Sequence, residues 1–428
     1  MRATAGLTEG IAPGGRDYRR LVVAMFLAGV ATFAQMYSTQ GVLPEIARAF
    51  GTTASDAALS VAAVTLGVAI GVLPWSYAAD RIGARRALLA ALCLAIAPGF
   101  AAPLVPSFGG FIALRFVEGL GIAGVPAIAI GFVLRAVRSP HGAAAGATYI
   151  AGTTIGGLLG RLIAVPIAEQ LGWRPAILAV MAVCAAATLG FAVLLPAAAR
   201  SARAPARLAT LGLLLRDPRQ LALQAVAFLA MGGFVSLYNY IGFRLVEEPY
   251  ALSPSLVALV FLAYLAGTWS SSAAGRAMVR WGRPRVALAG AVVMAAGVAA
   301  MLADGLVVII AGLTVATAGF FALHAVASGW APAAAREGRN QASALYNLAY
   351  YGGSSLLGWA TGYAFVALGW AGVGVAVLAA IAVVLLLLAA LTIGDRGARR
   401  RATRASVVEA PAGADSLRES PESARDRR

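Results

Sequence analysis

The sequence predicts an all-α membrane protein in which twelve transmembrane helices form two pseudo-symmetric six-helix repeats. The composition is the first reason, because 60% of the 428 residues are hydrophobic, only 12% are charged and the mean hydropathy is +0.81. About a quarter of the residues of a soluble domain are charged, so this chain has too little polar surface to cover a water-soluble globule. The other two reasons are a series of long apolar stretches and an internal repeat.

Apolar stretches of about 20 residues can cross a bilayer as helices. We predict spans at 21–43, 57–78, 87–105, 108–133, 143–167, 174–195, 221–243, 255–278, 286–302, 305–330, 341–367 and 371–393. The first stretch follows arginines, but its apolar part is too long for a signal peptide, and we expect it to be retained. The chain then divides into an N-terminal segment (1–20), a first half (21–195), an arginine-rich linker (196–220), a second half (221–393) and a polar tail (394–428) that we predict to be disordered.

The arginines indicate the orientation of the spans. The chain has no lysine, and most of its 34 arginines fall in the N-terminal segment, the linker, the tail and the loops of the same side. Only Arg48, Arg174 and Arg244 fall in the loops of the other side. Because cytoplasmic loops are enriched in basic residues, we predict an inner-membrane protein with both termini, the linker and the tail in the cytoplasm. The positive charge then sets topology, with some affinity for anionic membrane lipid, and we expect no nucleic-acid binding.

Three regions of the first half recur in the second half at nearly the same offset. They are Phe33, Tyr37 and Gly41 with Phe234, Tyr238 and Gly242 (offset 201), Arg81-Ile82-Gly83 with Arg280-Trp281-Gly282 (offset 199), and Tyr149 and Trp173 with Tyr346 and Trp370 (offset 197). Chance matches would not keep one offset, so the chain is a duplication. Parallel repeats with a site between them near the bilayer midplane are an architecture of transporters.

Span four contains the most informative charges. Glu118 is the only acid in the interior of a predicted span, and Arg115 lies three residues earlier on the same helical face. At 1.5 Å per residue, Glu118 lies roughly 15 Å deep, near the midplane. Because ionisable groups inside a membrane are costly and usually functional, we interpret Glu118 as a proton-binding residue tuned by Arg115. The alternative is a self-neutralising structural ion pair. His324 in span ten is either a further proton-coupling residue or a packed, hydrogen-bonded histidine.

Span five combines a stripe of glycines with an arginine. Gly152, Gly156 and Gly160 are four residues apart, which predicts one helix face for close packing. We also assign these glycines to the conformational change of a transporter. The adjacent Arg161 either extends its side chain outward to the membrane surface or binds an anionic substrate.

Neutral polar and aromatic residues cluster in spans one, seven and eleven. We predict that eight of them line a substrate cavity: Gln35, Tyr37, Gln40, Tyr238, Asn239, Tyr346, Asn347 and Tyr350. Hydrogen-bonding residues of this kind suit a small, partly polar molecule. Anchoring of aromatic rings at the membrane surface and ordinary packing are the alternatives for part of this set.

The loop between spans two and three is a tight turn at Gly83 with charges on both sides. Asp80 stands among arginines that include Arg81 and Arg85. Taken alone, the pattern indicates a turn with arginines that set the topology. We place these residues in the part of the protein that changes conformation.

The segment 76–88 also resembles the signature loop of the major facilitator superfamily, Gly-x-Leu-x-Asp-Arg-x-Gly-Arg-Arg. The sequence departs from that pattern at Ser76, Ala78 and Ala84. The resemblance implies that Asp80 locks the two halves together on the cytoplasmic side, facing Arg135 and the beginning of span eleven near Asn340. The second copy of the loop has Val279 at the aspartate position, so the lock would be one-sided.

Two further motifs resemble the same superfamily. The spacing of Arg115 and Gly119 is similar to the Arg-x-x-x-Gly motif of its proton-coupled antiporters. The stretch 33–44 and the glycines that end in Gly160-Arg161 resemble a bacterial inner-membrane branch described as arabinose-efflux-like or drug-efflux-like. The antiporter form of span five contains a Gly-Pro pair, whereas here no proline follows the glycines until Pro166.

Several function classes are excluded by absent residues. Without a lysine there is no Walker loop and no ATP-driven pump on this chain. The two histidines and two cysteines lie far apart, and no acids or histidines cluster as in a membrane enzyme. We therefore predict no enzyme, cofactor or metal, and instead a monomeric secondary transporter that exports a small organic solute in exchange for protons by alternating access. The alternatives are a symporter or uniporter that takes up a small organic anion, held by Arg115 or Arg161, and a membrane receptor or scaffold that transports nothing.

Overall fold

The computed structural model describes residues 10–138, 141–196 and 208–408. Within these ranges the chain is helical apart from short turns and an isolated β-bridge between Ile11 and Val137. Eleven helical segments of the described ranges are long and apolar enough to cross a membrane. The last of them, Arg339–Gly394, contains two spans, because Gly369 adopts φ 61° and ψ −149° and interrupts the helix. The prediction of twelve membrane helices in two repeats is therefore confirmed.

The first half contains six spans, two of which are interrupted. They are Arg16–Met36 continued by Leu43–Phe50 (span one), Ala54–Ile82 (two), Ala84–Ala101 (three), Phe108–Ile122 continued by Gly124–Ala136 (four), Gly142–Leu171 (five) and Trp173–Leu194 (six). The second half repeats this order. Its spans are Pro218–Val246 (seven), Pro254–Ala258 continued by Leu259–Ala263 and Tyr264–Trp281 (eight), Arg283–Ala300 (nine), Leu306–Ala334 (ten), and the two parts of Arg339–Val408 before and after Gly369 (eleven and twelve).

Spans one and eight are broken where continuous helices are predicted at 21–43 and 255–278. The first helix of span one ends at Met36, and the span continues through the 3₁₀ turn Gln40–Val42. Span eight contains the 3₁₀ segment Leu259–Ala263. Short 3₁₀ segments inside long helices often mark functional hinges, so these two breaks are the first structural indication of a site.

Glycines make corresponding turns in the two halves. Gly83 and Gly282 join spans two and three and spans eight and nine, with φ 89° and 79°. Gly172 and Gly369 join spans five and six and spans eleven and twelve, with φ 89° and 61°. Residues other than glycine rarely adopt these positive φ angles. The turns lie at opposite ends of the bundle. Gly83 and Gly282 lie at the end that also contains the helix Leu208–Leu214, which we call the linker end. Gly172 and Gly369 lie at the opposite end, which we call the far end.

The described parts of the predicted linker and tail include helix. The helix Leu208–Leu214 lies in the linker, and Leu214 packs against Ala342 and Leu345 at the beginning of span eleven. The last helix continues to Val408, whereas the tail is predicted to be disordered from residue 394. The reason is that its alanines and arginines are strong helix formers that extend the preceding span. The linker residues 197–207 and the tail residues 409–428 lie outside the described residues.

Contacts between the two halves close the far end of the bundle. Spans two and eleven touch there, because a Cβ on Gly362 would lie 2.7 Å from Ser55. Farther along the same helices, the Ser355 hydroxyl donates to the Ala62 carbonyl at 2.8 Å. At the far ends of spans five and eight, Ser255 donates its N–H and O–H to the Glu169 carboxylate.

Candidate functional site

The broken parts of spans one and eight meet across the boundary between the halves. Span one contributes Tyr37 and Gln40, and span eight contributes Phe261 and Tyr264, while span five places Arg161 between them. We call these five residues the arginine cage. Interrupted helices surround the substrates of many transporters because the break brings side chains and backbone groups toward one point.

Arg161 is 1% exposed, and most N–H groups of its guanidinium group donate hydrogen bonds to oxygen atoms. Its Nε and Nη2 both donate to Gln40 Oε1, at 2.9 and 2.5 Å. Its Nη1 donates to the Gly157 carbonyl at 2.5 Å, and its Nη2 also donates to the Tyr264 hydroxyl at 3.3 Å. A guanidinium has five N–H donors. The described bonds use four of them, and the three acceptors, which are Gln40 Oε1, the Gly157 carbonyl and the Tyr264 hydroxyl, are uncharged groups.

Three aromatic rings lie beside the same guanidinium group. Its Cζ is 4.5 Å from the ring centroid of Tyr37 and 4.9 Å from those of Phe261 and Tyr264. Ring faces stabilise a cation but do not neutralise it, and Arg161 forms no ion pair with any acid among the described residues. The alternative prediction that Arg161 extends outward to the membrane surface is wrong, because the cage holds the side chain inside the protein.

The cage is connected to the second half by a chain of amide hydrogen bonds. Gln40 Nε2 donates to Asn239 Oδ1 at 2.7 Å. Asn239 Nδ2 in turn donates to the Gly358 carbonyl of span eleven at 3.2 Å. Gln40 and Asn239 are 3% and 1% exposed, so these bonds are buried between the two halves. Arg161 is therefore linked through Gln40 to the contact that holds the two halves together.

The buried ion pair predicted in span four is present. Arg115 Nη1 is 2.6 Å from Glu118 Oε2, and the two side chains are 1% and 0% exposed. Arg115 also donates to three backbone carbonyls, those of Ser60 at 3.1 Å, Gln35 at 3.2 Å and Met36 at 3.0 Å. These carbonyls belong to span two and to the last turn of span one before its break. Arg115 thus fixes the position at which span one is interrupted.

Glu118 lies inside the first half and outside the arginine cage. Among the described residues, its Oε1 has no hydrogen-bond partner. This oxygen points toward span three, because a Cβ on Gly99 would lie 3.2 Å from it. The same Cβ would lie 2.4 Å from Met181 of span six. Glu118 consequently has one ion-paired oxygen and one oxygen in an apolar pocket between three helices.

His324 belongs to an aromatic group in the second half. Its Nδ1 is 3.1 Å from the Tyr346 hydroxyl, and its ring centroid is 4.6 Å from that of Tyr350 and 5.9 Å from that of Phe320. His324 and Tyr350 are half-buried. By their positions along spans ten and eleven, these residues lie between the cage and the linker end. The hydrogen bond and the ring contacts agree with packing, and they leave the proton-coupling role as a proposal.

The structure separates the eight predicted cavity residues into three groups. Tyr37, Gln40, Tyr238 and Asn239 lie in or beside the cage, where the Tyr238 ring stacks on Phe261 at 5.5 Å. Tyr346 and Tyr350 lie with His324, and Asn347 is half-buried on the same helix. The Gln35 side chain is bonded inside span one, to the Ala31 carbonyl at 2.9 Å.

The glycine face of span five packs directly on span one. A Cβ on Gly152, Gly156 or Gly160 would lie 2.2, 2.6 or 2.3 Å from backbone atoms of Phe26, Val30 or Ala34. The predicted close packing is therefore confirmed. The role of these glycines in conformational change stays a prediction.

The loop residues predicted to lock the halves are not brought together in this conformation. Asp80 and Arg85 are exposed, and Asp80 forms no ion pair among the described residues. Arg81 lies over the Tyr77 ring with its Cζ at 4.6 Å from the centroid. Arg135 belongs to the last turn of span four. The described hydrogen bonds between the halves lie at the cage, along spans two and eleven and at the far end, and none of them involves Asp80.

Sequence reasoning missed two residues of the cage, Phe261 and Tyr264. Both read as ordinary apolar or interfacial residues of span eight. The sequence carries no signal for Tyr264; only the structure places its ring 4.9 Å from Tyr238 and 5.5 Å from Phe234, the two rings of the duplicated motif. Among the described residues, no three His, Cys, Asp or Glu side chains are grouped as metal ligands would be.

Comparisons with known proteins agree with this architecture. The family model described as Major Facilitator Superfamily matches residues 25–248. The chain is 39% identical over 391 residues to the inner membrane transport protein YnfM of Escherichia coli (strain K12), covering 90% of this chain and 92% of that protein. It is 31% identical to the uncharacterized MFS-type transporter YybF of Bacillus subtilis (strain 168), covering 85% of this chain and 91% of that protein.

Solved structures of distant sequence share the fold. A bacterial homologue of the human lysosomal transporter Spinster, in an inward-facing and occupied conformation, has a TM-score of 0.71 at 17% identity and covers 90% of this chain and 98% of its own. The xylose transporter XylE from E. coli has a TM-score of 0.65 at 14% identity and covers 87% of this chain and 97% of its own. The chain therefore belongs to the major facilitator superfamily of secondary transporters, multi-pass membrane proteins that carry small solutes.

Proposed function

We propose that this transporter exports a small organic solute in exchange for protons, by alternately opening the two ends of the bundle. The arginine distribution supports a cytoplasmic linker end, and the closed far end then faces away from the cytoplasm. In this conformation solute would enter from the cell and bind beside the arginine cage. Glu118 would carry the proton. One chain supplies every residue of this proposal, in keeping with a monomeric transporter.

The observation that carries the proposal is the bond network of Arg115. This arginine forms an ion pair with Glu118 and simultaneously binds the carbonyls of Gln35 and Met36. The next residues along the chain are Tyr37 and, after the turn, Gln40, which form one side of the cage. The proton site and the substrate site are thus joined by a single segment of span one.

Protonation of Glu118 would change the forces on that segment. A neutral carboxyl group loses its ionic attraction for the guanidinium group of Arg115. Arg115 then keeps only its carbonyl partners. Its attraction to Glu118 of span four weakens relative to its hydrogen bonds with the end of span one. Because Tyr37 and Gln40 are attached to that end, the shift reaches the contact of Gln40 with Asn239. The proton state of Glu118 would thereby bias which end of the bundle is open.

A second candidate function is uptake of a small organic anion, either with protons or by facilitated diffusion. The specific observation in its favour is Arg161, a buried cation without an acid partner among the described residues. This observation bears on the charge of the substrate. It leaves the direction of transport to experiment.

The experiment is a compound screen in proteoliposomes with an imposed pH gradient, followed with a pH-sensitive dye. Wild type is compared with Glu118→Gln and with the matched control Glu45→Gln. Glu45 also has an arginine three residues away, Arg48, but the Arg48 side chain is 72% exposed, whereas that of Arg115 is 1% exposed. We expect some compounds to dissipate the gradient with wild type and with Glu45→Gln, and to have no effect with Glu118→Gln.

Three results would contradict parts of the proposal. Equal dissipation by Glu118→Gln would show that another residue carries the proton, and His324 would be tested next. Movement of radiolabelled solutes with an unaffected pH gradient would replace proton exchange with facilitated diffusion. Dissipation that requires solute on the outside, with accumulation inside, would favour uptake.

A further inference from the structure

We infer that the substrate is a small organic anion with one carboxylate on an apolar or aromatic body, and that its carboxylate takes the place of Gln40 on Arg161. This inference names the substrate class of the cavity proposed above and rests on that proposed transport function. It gives Arg161, which lies next to the glycine face of span five, a defined ligand group and a defined neighbour, Gln40, that the ligand displaces.

The first argument is the uncompensated charge. Arg115 is paired with Glu118 at 2.6 Å, and Arg244 with Asp304 at 3.6 Å. Arg244 is a partial comparison: its Cζ also lies over two rings, those of Tyr250 at 5.5 Å and Trp370 at 5.2 Å, but its side chain is 10% exposed and that of Asp304 is 98% exposed. A buried cation is costly without a counter-charge. Arg161 also lies against aromatic rings, is more deeply buried than Arg244 and has no acid partner among the described residues, which an anionic ligand would supply.

The second argument is the geometry of the guanidinium edge. The Nε and Nη2 atoms of Arg161 both donate to the single oxygen Gln40 Oε1. This edge presents two parallel N–H groups, which fit the two oxygens of a carboxylate. A carboxylate in this position would accept both bonds on separate oxygens and neutralise the charge. Gln40 therefore occupies a carboxylate site with a neutral amide.

The third argument concerns the rest of the ligand. Beyond the rings of the cage, Phe234 lies 5.5 Å from Tyr264 and stacks on Phe320 at 4.0 Å and 7°. Phe320 leads in turn to His324 and Tyr350 toward the linker end. A flat apolar body attached to the carboxylate would pack on these rings, whereas a highly hydroxylated solute would lose hydrogen bonds there.

Displacement of Gln40 would also connect substrate binding to opening of the far end. Gln40 is the only residue of the described network that bonds both to Arg161 and to Asn239. A carboxylate that takes over Arg161 frees the Gln40 side chain from one of its two partners. The hydrogen bond from Gln40 to Asn239, which joins the halves, then loses its fixed geometry. A ligand that binds this way stabilises the state in which the far end can open.

The test is thermal unfolding of the purified full chain in detergent with three probes of one shape: benzoate, benzamide and benzylammonium. We expect benzoate to raise the Tm of wild type, and benzamide and benzylammonium to leave it unchanged. Arg161→Gln should lose the benzoate shift, and Arg161→Lys should weaken the apparent affinity by roughly tenfold, because lysine lacks the two-pronged edge. The matched control Arg244→Gln should keep the shift. The absence of a benzoate shift in wild type, or an equal shift in Arg161→Gln, overturns the inference.

A second variant keeps the test decisive if Arg161→Gln does not fold. Gln40→Glu places a carboxylate of the chain itself on the Arg161 edge. We expect this variant to have a higher Tm without any probe and to show no benzoate shift, because its own carboxylate occupies the site. A Gln40→Glu protein that responds to benzoate as wild type does overturns the inference, since the carboxylate then binds elsewhere.

The failure of this inference can be told apart from the failure of the proposed function. Glu118→Gln should keep the benzoate shift, because Glu118 lies outside the cage, even though it should abolish proton exchange. If neutral compounds dissipate the pH gradient and benzoate shifts no Tm, the transport proposal stands and the anion class is wrong. If benzoate shifts the Tm through Arg161 and Glu118→Gln exchanges protons normally, the anion class stands and the coupling residue is wrong.

Discussion

Span five packs on span one in the way that span eleven packs on span seven. A Cβ on Gly152 would lie 2.2 Å from the Phe26 carbonyl, and a Cβ on Gly353 would lie 2.0 Å from the Phe228 carbonyl. These pairs correspond at nearly the offset of the sequence repeat, since 353 − 152 is 201 and 228 − 26 is 202. Backbone contact at this point fixes the distance between the two helices of each pair.

One turn farther along, the halves reach the same spacing with exchanged residues. Gly156 of span five meets the backbone of Val30 of span one, so the glycine is on the fifth span. In the second half the glycine is on the first span of the repeat: a Cβ on Gly232 would lie 2.6 Å from Leu357 Cβ. The duplication therefore preserves the separation of the helices and not the identity of the residue that permits it.

The charges inside the spans do not follow the repeat, although the loop arginines Arg81 and Arg280 do. At an offset of 201, the counterpart of Arg161 is Gly362, which lies against the Tyr240 hydroxyl and Ser55. Arg115 joins spans one and four in the first half, whereas the Tyr238 and Thr317 hydroxyls, 2.8 Å apart, join spans seven and ten. The first half supplies ionised groups and the second half supplies rings and hydroxyls. The candidate site exists only where these unlike surfaces meet.

The largest difference in stability between the two halves should appear when the link between spans one and four is broken. Arg115→Gln leaves Glu118 as a buried charge without its partner, which should lower the free energy of unfolding by about 3–5 kcal/mol. Thr317→Val in the second half removes a neutral hydrogen bond and should cost about 1–3 kcal/mol. The measurement is denaturant unfolding in mixed micelles. The double variant with Glu118→Gln should recover much of the Arg115→Gln loss, and equal losses in the two halves would contradict the contrast.

The next effect tests the likeness of the halves. Gly152→Ala and Gly353→Ala each push a methyl group against a backbone carbonyl, and overpacking of this kind costs about 1–3 kcal/mol. We expect the two losses to agree within the error of thermal unfolding. Gly146→Ala and Gly275→Ala are matched controls, because nothing lies within 4 Å of a Cβ at either position. They should be neutral or stabilising, by up to about 1 kcal/mol for an alanine inside a helix.

The features that depend on apolar length and residue spacing were predictable from the sequence. The twelve spans follow from the thickness of the bilayer, and the contact of Gly152 with span one follows from small residues four apart. The Arg115–Glu118 pair was predictable because two oppositely charged residues three apart on a helix have no other partner inside a membrane.

The arginine cage was not predictable, for two physical reasons. An arginine near one end of a helix can reach either the membrane surface or the interior, and the outcome for Arg161 depends on what faces it. Facing it are two helix breaks that the sequence hardly marks. Pro44 follows the break in span one, but the segment Leu259–Ala263 in span eight contains no glycine or proline. Continuous helices were therefore the natural prediction for both spans.

A smaller effect should come from the bond that joins the halves beside the cage. Asn239→Val removes the acceptor of Gln40, while Ser236→Ala removes a buried bond within the second half, to Thr361 at 2.9 Å. We expect Asn239→Val to open the far end more often and Ser236→Ala to leave this equilibrium unchanged. The reporter is Ser55→Cys, which is 2% exposed in the closed state, in a chain without Cys93 and Cys184. A membrane-impermeant maleimide should label it about tenfold faster with Asn239→Val, as expected for the loss of about 1.4 kcal/mol from one buried hydrogen bond.

The smallest effect should come from the exposed bond at the same interface. Glu169 accepts from the N–H and O–H groups of Ser255, but its side chain is exposed to solvent. Water competes for such a group, so Glu169→Gln should weaken closure by at most about 1 kcal/mol. Labelling of Ser55→Cys should then rise no more than about fivefold. Glu248→Gln, an exposed glutamate at the far end, serves as the control and should leave the rate unchanged. A Glu169→Gln effect larger than that of Asn239→Val would move the principal lock from the buried amide chain to the solvent-exposed rim, and the cage would no longer be the point at which substrate binding reaches the far end.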